Sequence, residues 1–209
     1  MVKRNLTIPF EFVCFTENSE GIDSEIRVEP LKVQSGITGW WYKPMFFDKQ
    51  FPLKGTILFF DLDVIIFENI DKLFRFQPGK FCIIRDFTRH QIKDWSKMNS
   101  SVFRLETGSL SYVYDNFMSN VKLHTKRFHG DQDFIYSQVQ KDFCFWPDEW
   151  IQSYKWEMRG KPPTSRVNGV RNFVKPGEPK ILPETSVAVF HGEPNPHNCI
   201  DPWCASNWC

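Results

Sequence analysis

The stretch Ile57-Leu58-Phe59-Phe60-Asp61-Leu62-Asp63-Val64-Ile65-Ile66-Phe67 decides the reading of this chain. Thr56 to Phe60 is a short apolar run, preceded by Gly55 and closed by Asp61. Such a run predicts a strand buried on both faces, as in a mostly parallel sheet. Asp61 and Asp63 stand two apart, so they share one face wherever the extended conformation persists. The apolar neighbours bury the strand and leave both acids at its C-terminal end, where open parallel sheets bind ligands. Two adjacent carboxylates repel unless a cation lies between them. Oxygen donors suit Mg2+ or Mn2+, and an added imidazole tilts the choice toward Mn2+.

Outward from this segment, strands and helices alternate. Strands are expected over Phe10 to Phe15, Lys80 to Arg85, Ser101 to Leu105 and Val187 to Phe190. Helices are expected over Gly39 to Asp48, Ile70 to Phe74, Ser109 to Met118 and Asp131 to Gln140. Asp131 fits the N-cap of the last of these. Residues 159–184, rich in Pro, Gly, Lys and Arg, read as a long surface connection. The pattern predicts an α/β fold with a mainly parallel sheet, in one domain over residues 1–209 with a Trp- and Cys-rich tail at about 198–209.

Composition sets the outer bounds. The 209 residues are 41% hydrophobic and 24% charged, which excludes a wholly disordered chain. A net charge of +1 provides no global field for nucleic acid or acidic lipid. No apolar run reaches the roughly 18 residues of a membrane span. The start, Met1-Val2-Lys3-Arg4-Asn5, has no long apolar signal core, so a cytoplasmic location is expected. Aromatic residues make up 16%, with 21 Phe and 8 Trp, enough for a large core and a small surplus for a flat ligand such as a sugar. Trp40, Trp41, Trp146, Trp150 and Trp156 are assigned to core or sheet cover. Cys14, Cys82 and Cys144 read as small core residues. Cys199, Cys204 and Cys209 are spaced by five and match no common zinc spacing; a disulfide or zinc role is the lesser reading.

Two chemistries use acids placed like Asp61 and Asp63. A nucleotide-sugar transferase holds a metal on a diphosphate; a haloacid-dehalogenase-type phosphatase uses the first Asp as nucleophile and the second as general acid. The rest of the chain favours the transferase. The two acids follow at least one strand and a helix, His129-Gly130-Asp131-Gln132-Asp133 comes mid-chain, and His191-Gly192 closes the last strand.

In this order the motifs resemble the glycogenin and lipopolysaccharide-galactosyltransferase-like family of GT-A glycosyltransferases, especially its short bacterial or phage-type members. The resemblance runs from about Lys3 to about His197. It implies a Rossmann-like, mostly parallel mixed sheet flanked by helices. It also implies metal-dependent transfer of a sugar from a nucleotide-diphosphate donor to a carbohydrate, lipid or protein acceptor, with retention of configuration. Asp61, Asp63 and His191 would then hold Mn2+ or Mg2+. Lys43, Asp86, Asn99 and Ser100 would contact the donor, and Asp131 and Gln132 would flank the reacting carbon. Two departures stand out. Asn195 occupies the place of a Lys that contacts the diphosphate in the family. The family's first strand and base-binding loop are expected to be absent, because Val2 to Pro9 resembles the end of the helix that follows them. A shortened, inactive relative that binds sugar or nucleotide is therefore the second expectation, and the phosphatase the third.

Overall fold

The computed structural model describes residues 1–208; Cys209, the last tail cysteine, lies outside them. In chain order the elements are α1 (Val2–Asn5), β1 (Val13–Thr16), β2 (Arg27–Pro30), a 3-10 helix (Gly39–Phe47), β3 (Thr56–Phe60), β4 (Val64–Ile66), α2 (Asp71–Arg75), β5 (Phe81–Arg85), a second 3-10 turn (Phe87–His90) and β6 (Met98–Glu106). There follow α3 (Tyr112–Ser119), α4 (Val121–Arg127), α5 (Asp131–Val139), β7 (Phe143–Phe145), β8 (Ile151–Ser153), a π-helical turn (Tyr154–Met158), β9 (Ser165–Val167), β10 (Val170–Asn172), β11 (Val187–Val189) and α6 (Pro202–Trp208).

Two mixed sheets carry the molecule. The larger has the order β3-β6-β5-β7 and the smaller β4-β11-β8. The parallel pairs in them are β5 with β7 and β8 with β11; β3 with β6, β5 with β6 and β4 with β11 run antiparallel. β1 and β2 form a separate parallel pair. The fold is thus α/β with mixed sheets, and antiparallel pairing takes a larger share than the sequence predicts. β3 has the expected bounds, but it lies at a sheet edge, antiparallel to β6, and is only half-buried. An apolar run tells that a strand is covered; it does not tell which neighbour it pairs with.

The aromatic stock is mostly core. On one side of the larger sheet Trp41, Phe46 and Phe47 of the 3-10 helix, Phe103, Phe117 and Phe134 form one buried cluster with α3 and α5. Each fully buried Phe contributes about 1.5–3 kcal/mol over its exposed state. The other face packs against the smaller sheet through Cys82, Ile84, Val102, Trp146, Val187 and Val189. A third cluster of Ile65, Tyr154, Phe173, Phe190 and Cys204 seats the tail helix on the smaller sheet. Cys82 is fully buried, as expected of a small core residue. Arg104, also buried, donates to the carbonyls of Leu73, Phe74, Phe76, Gln77 and Lys80 and staples the turn before β5 to β6. Among the described residues no helix is long and apolar enough to cross a membrane.

Three local expectations need correction. Asp131 is not an N-cap: Gly130 holds that position, and Asp131 is the first helical residue, buried, with its carboxylate turned inward. β6 begins at Met98 rather than at Ser101, so Asn99 and Ser100 lie within it, at a register shift where Ile83 pairs with Phe103 and Ile84 with Asn99. Residues 159–184 are not all surface connection: β9 and β10 form a hairpin, and Asn172 and Phe173 are buried.

Candidate functional site

The carboxyl end of β3 delivers Asp61, whose backbone N–H donates to the Ser101 carbonyl at 2.8 Å and so continues the pairing with β6. Opposite it, the 3-10 helix presents Lys43, which is buried although it carries an ammonium. Lys43 Nζ donates to Asp61 Oδ2 at 2.8 Å and to the Ser100 carbonyl and Oγ at 3.2 and 3.1 Å. Asp131 Oδ2 lies 3.9 Å from the same ammonium, is buried, and has no hydrogen-bond partner. Burial pushes the Asp61 carboxyl above the usual range, against the pull of Lys43 and with help from Asp63. Burial raises Asp131 likewise, again against Lys43. One ammonium thus faces two buried or half-buried carboxylates, with Asp63 close by. This surplus of negative charge, with an orphaned oxygen, favours a further cation.

A second group of residues meets this one through the smaller sheet. Val189 of β11 pairs with Val64 of β4, and the next residue, Phe190, donates its N–H to the Asp63 carbonyl at 2.9 Å. The register therefore brings His191 to the sheet end that carries Asp63. His191 adopts a left-handed φ of 30° ahead of Gly192. Its ring stacks on Phe87, centroids 5.1 Å apart, and its Nε2 bonds Ser153 Oγ at 2.6 Å. Burial, followed by the charge of Lys155, pulls its pKa down to about 4, so the imidazole is neutral and able to act as a ligand. Lys155 Nζ donates to the carbonyls of His191 and Glu193 at 2.7 and 3.1 Å.

Asp86 follows β5 and accepts from Thr88 N at 3.0 Å and Trp95 Nε1 at 3.1 Å, capping the 3-10 turn that carries Phe87. Its charge also acts on His191. Asn99 Oδ1 accepts from Ser101 N at 2.9 Å, which shapes the irregular part of β6 beside Lys43. Gln132, half-buried, is the second residue of α5. The structure thus joins Lys43, Asp61, Ser100 and Asp131 directly, and brings Asp63, Asp86 and His191 to the adjoining sheet end. It does not draw Asp61, Asp63 and His191 into one tight cluster. Among the described residues, the group of potential ligands within 4.8 Å of one another is Cys199, Asp201 and Cys204. In chemical type, two carboxylates and a neutral imidazole still suit Mn2+ or Mg2+. Ser153 and Lys155 were not singled out by the sequence reading. The available signal was an ammonium set between Tyr154 and Trp156, aromatic neighbours that bury it.

The fold is that of the GT-A-type glycosyltransferases. The chain resembles the apo glycosyltransferase GlyE of Streptococcus pneumoniae with a TM-score of 0.58 at 12% identity, over 88% of this chain and 45% of that one. It resembles an active-site mutant of LgtC with a TM-score of 0.58 at 12% identity, over 91% of this chain and 76% of that one. The chain therefore spans less than half the length of GlyE. No protein-family profile and no curated protein sequence matches it.

Proposed function

We propose that this chain is a metal-dependent glycosyltransferase that takes its sugar from a nucleotide-diphosphate donor. The observation that carries the reading is the charge surplus around Lys43, in which Asp61 and Asp131, whose Oδ2 has no hydrogen-bond partner, converge next to the sheet end that receives Asp63 and His191. Asp61, Asp63 and His191 would hold Mn2+ or Mg2+, and the metal would act as a Lewis acid on the leaving diphosphate. Asp131 would stabilise the cationic sugar of the transition state, with Gln132 beside it. Lys43 opposes the effect of burial on Asp61 and bonds Ser100, and Asp86 and Asn99 would supply hydrogen-bonding groups for sugar hydroxyls. Retention of configuration and an acceptor of carbohydrate, lipid or protein belong to the same reading.

The test is calorimetric titration of the four common nucleotide diphosphates with and without Mn2+. Binding that requires the metal supports the transferase, and no binding by any of them sinks it. A second reading has its own observation: Lys43 already neutralises Asp61, as in a chain that binds a nucleotide sugar without turning it over. Metal-dependent binding with no hydrolysis or transfer of the sugar would favour that reading. The phosphatase reading loses support, because the two acids follow two strands and a 3-10 helix and the like folds are glycosyltransferases.

A further inference from the structure

Lys155 is a buried cation that forms no direct ion pair, although the charges of Asp63 and Glu193 act on it. Its relative exposure is 5%, and among the described residues no carboxylate lies within ion-pair distance of it. It lies just beyond β8, which runs parallel to β11 with Ser153 opposite Val189. Lys155 and His191 are therefore each two residues past the last matched pair and stand side by side at the carboxyl ends of two parallel strands, where such sheets receive ligands. The ammonium has three donors. Two go to the carbonyls of His191 and Glu193, and one is free for an acceptor. From Gly192 to Cys209 the chain holds no Lys or Arg, so this end of the site gets no positive charge from the segment after His191. A desolvated ammonium among carbonyls is costly unless an anion meets it.

We propose that Lys155 is the cation that receives the diphosphate of the donor, beside His191 and Asp63. The inference rests on the glycosyltransferase reading above. Inorganic pyrophosphate is the probe, because it carries the diphosphate without a base. With Mg2+ present, calorimetry should show wild type binding pyrophosphate, Lys155→Met binding it at least about tenfold more weakly, and Lys155→Arg recovering most of the loss. Mn2+ affinity measured without phosphate should stay within about twofold of wild type in both variants, a readout of His191 placement. Folded Lys155→Met that binds pyrophosphate as wild type does overturns the proposal. So does an equal loss of Mn2+ and pyrophosphate affinity, which would make Lys155 a prop for the His191 loop. If Lys155→Met fails to fold, lysine-selective NMR of the wild type decides: the Lys155 ammonium resonance should move when magnesium pyrophosphate is added, and an unmoved resonance refutes the assignment. Wild type that binds nucleotide diphosphates but not pyrophosphate refutes Lys155 alone; wild type that binds neither refutes the transferase reading as well.

Discussion

Two of the buried ionic networks among the described residues differ in whether their hydrogen bonds are complete. Under the tail, Asp201 and Arg159 form an ion pair with side-chain exposures of 0% and 4%. Tyr154 donates to Asp201 Oδ2 at 2.8 Å, beside Arg159, and Gly177 N donates to Oδ1 at 2.9 Å. Both carboxylate oxygens are satisfied and the charges balance. Around Lys43, in contrast, acids outnumber the ammonium and Asp131 Oδ2 has no donor. The first network is closed; the second is open, with one carboxylate oxygen unmatched. A closed network also weakens the case for metal at Cys199, Asp201 and Cys204, since a guanidinium already holds the carboxylate.

The comparison can be broken most severely at the closed network. Asp201→Ala leaves Arg159 buried without a counterion and should cost about 3–5 kcal/mol, measured by urea unfolding. A loss below about 1 kcal/mol would show that the pair is not structural. Next in size, Asp63→Ala and His191→Ala should each weaken Mn2+ binding roughly tenfold or more while leaving the fold intact. Unchanged affinity in both would remove the metal from the open network. The smallest effect concerns Asp131→Asn, which removes a buried charge that lacks a full set of donors. It should stabilise the protein by about 1 kcal/mol at neutral pH. The sign follows from the raised pKa of Asp131: the native state binds this proton more tightly than the unfolded chain, so at neutral pH the ionised group opposes folding. The advantage of the variant should shrink as pH falls through the raised value and vanish below the ordinary 3.8. An advantage that grows toward acid would contradict the charge surplus.

The legible parts of the sequence were those fixed by local chemistry. Thr56 to Phe60 forms β3 with the expected bounds because Gly55 and Asp61 punctuate an apolar run. Lys43, Asp61 and Asp131, all marked by the sequence motifs, meet in one group. Pairing partners were not legible: β3 is an antiparallel edge strand, and nothing in Ile57 to Phe60 states which side β6 will take. Asp131 was misread because an acid before an apolar helix fits both a cap and a buried first-turn residue. Gly130, with its extended backbone, was the better clue to the cap. Ser153 and Lys155 escaped because β8 is only three residues long and sits in a Trp-rich stretch that reads as sheet cover.

The pairing of Val64 with Val189 has a consequence for how the molecule comes into being. The two halves of the site come from opposite ends of the sequence, so they meet only after a long-range closure whose entropy must be offset before the contact forms. The residues that gather around Lys43 precede in the chain the strand that brings His191 to Asp63, so the junction between them depends on that long-range pairing.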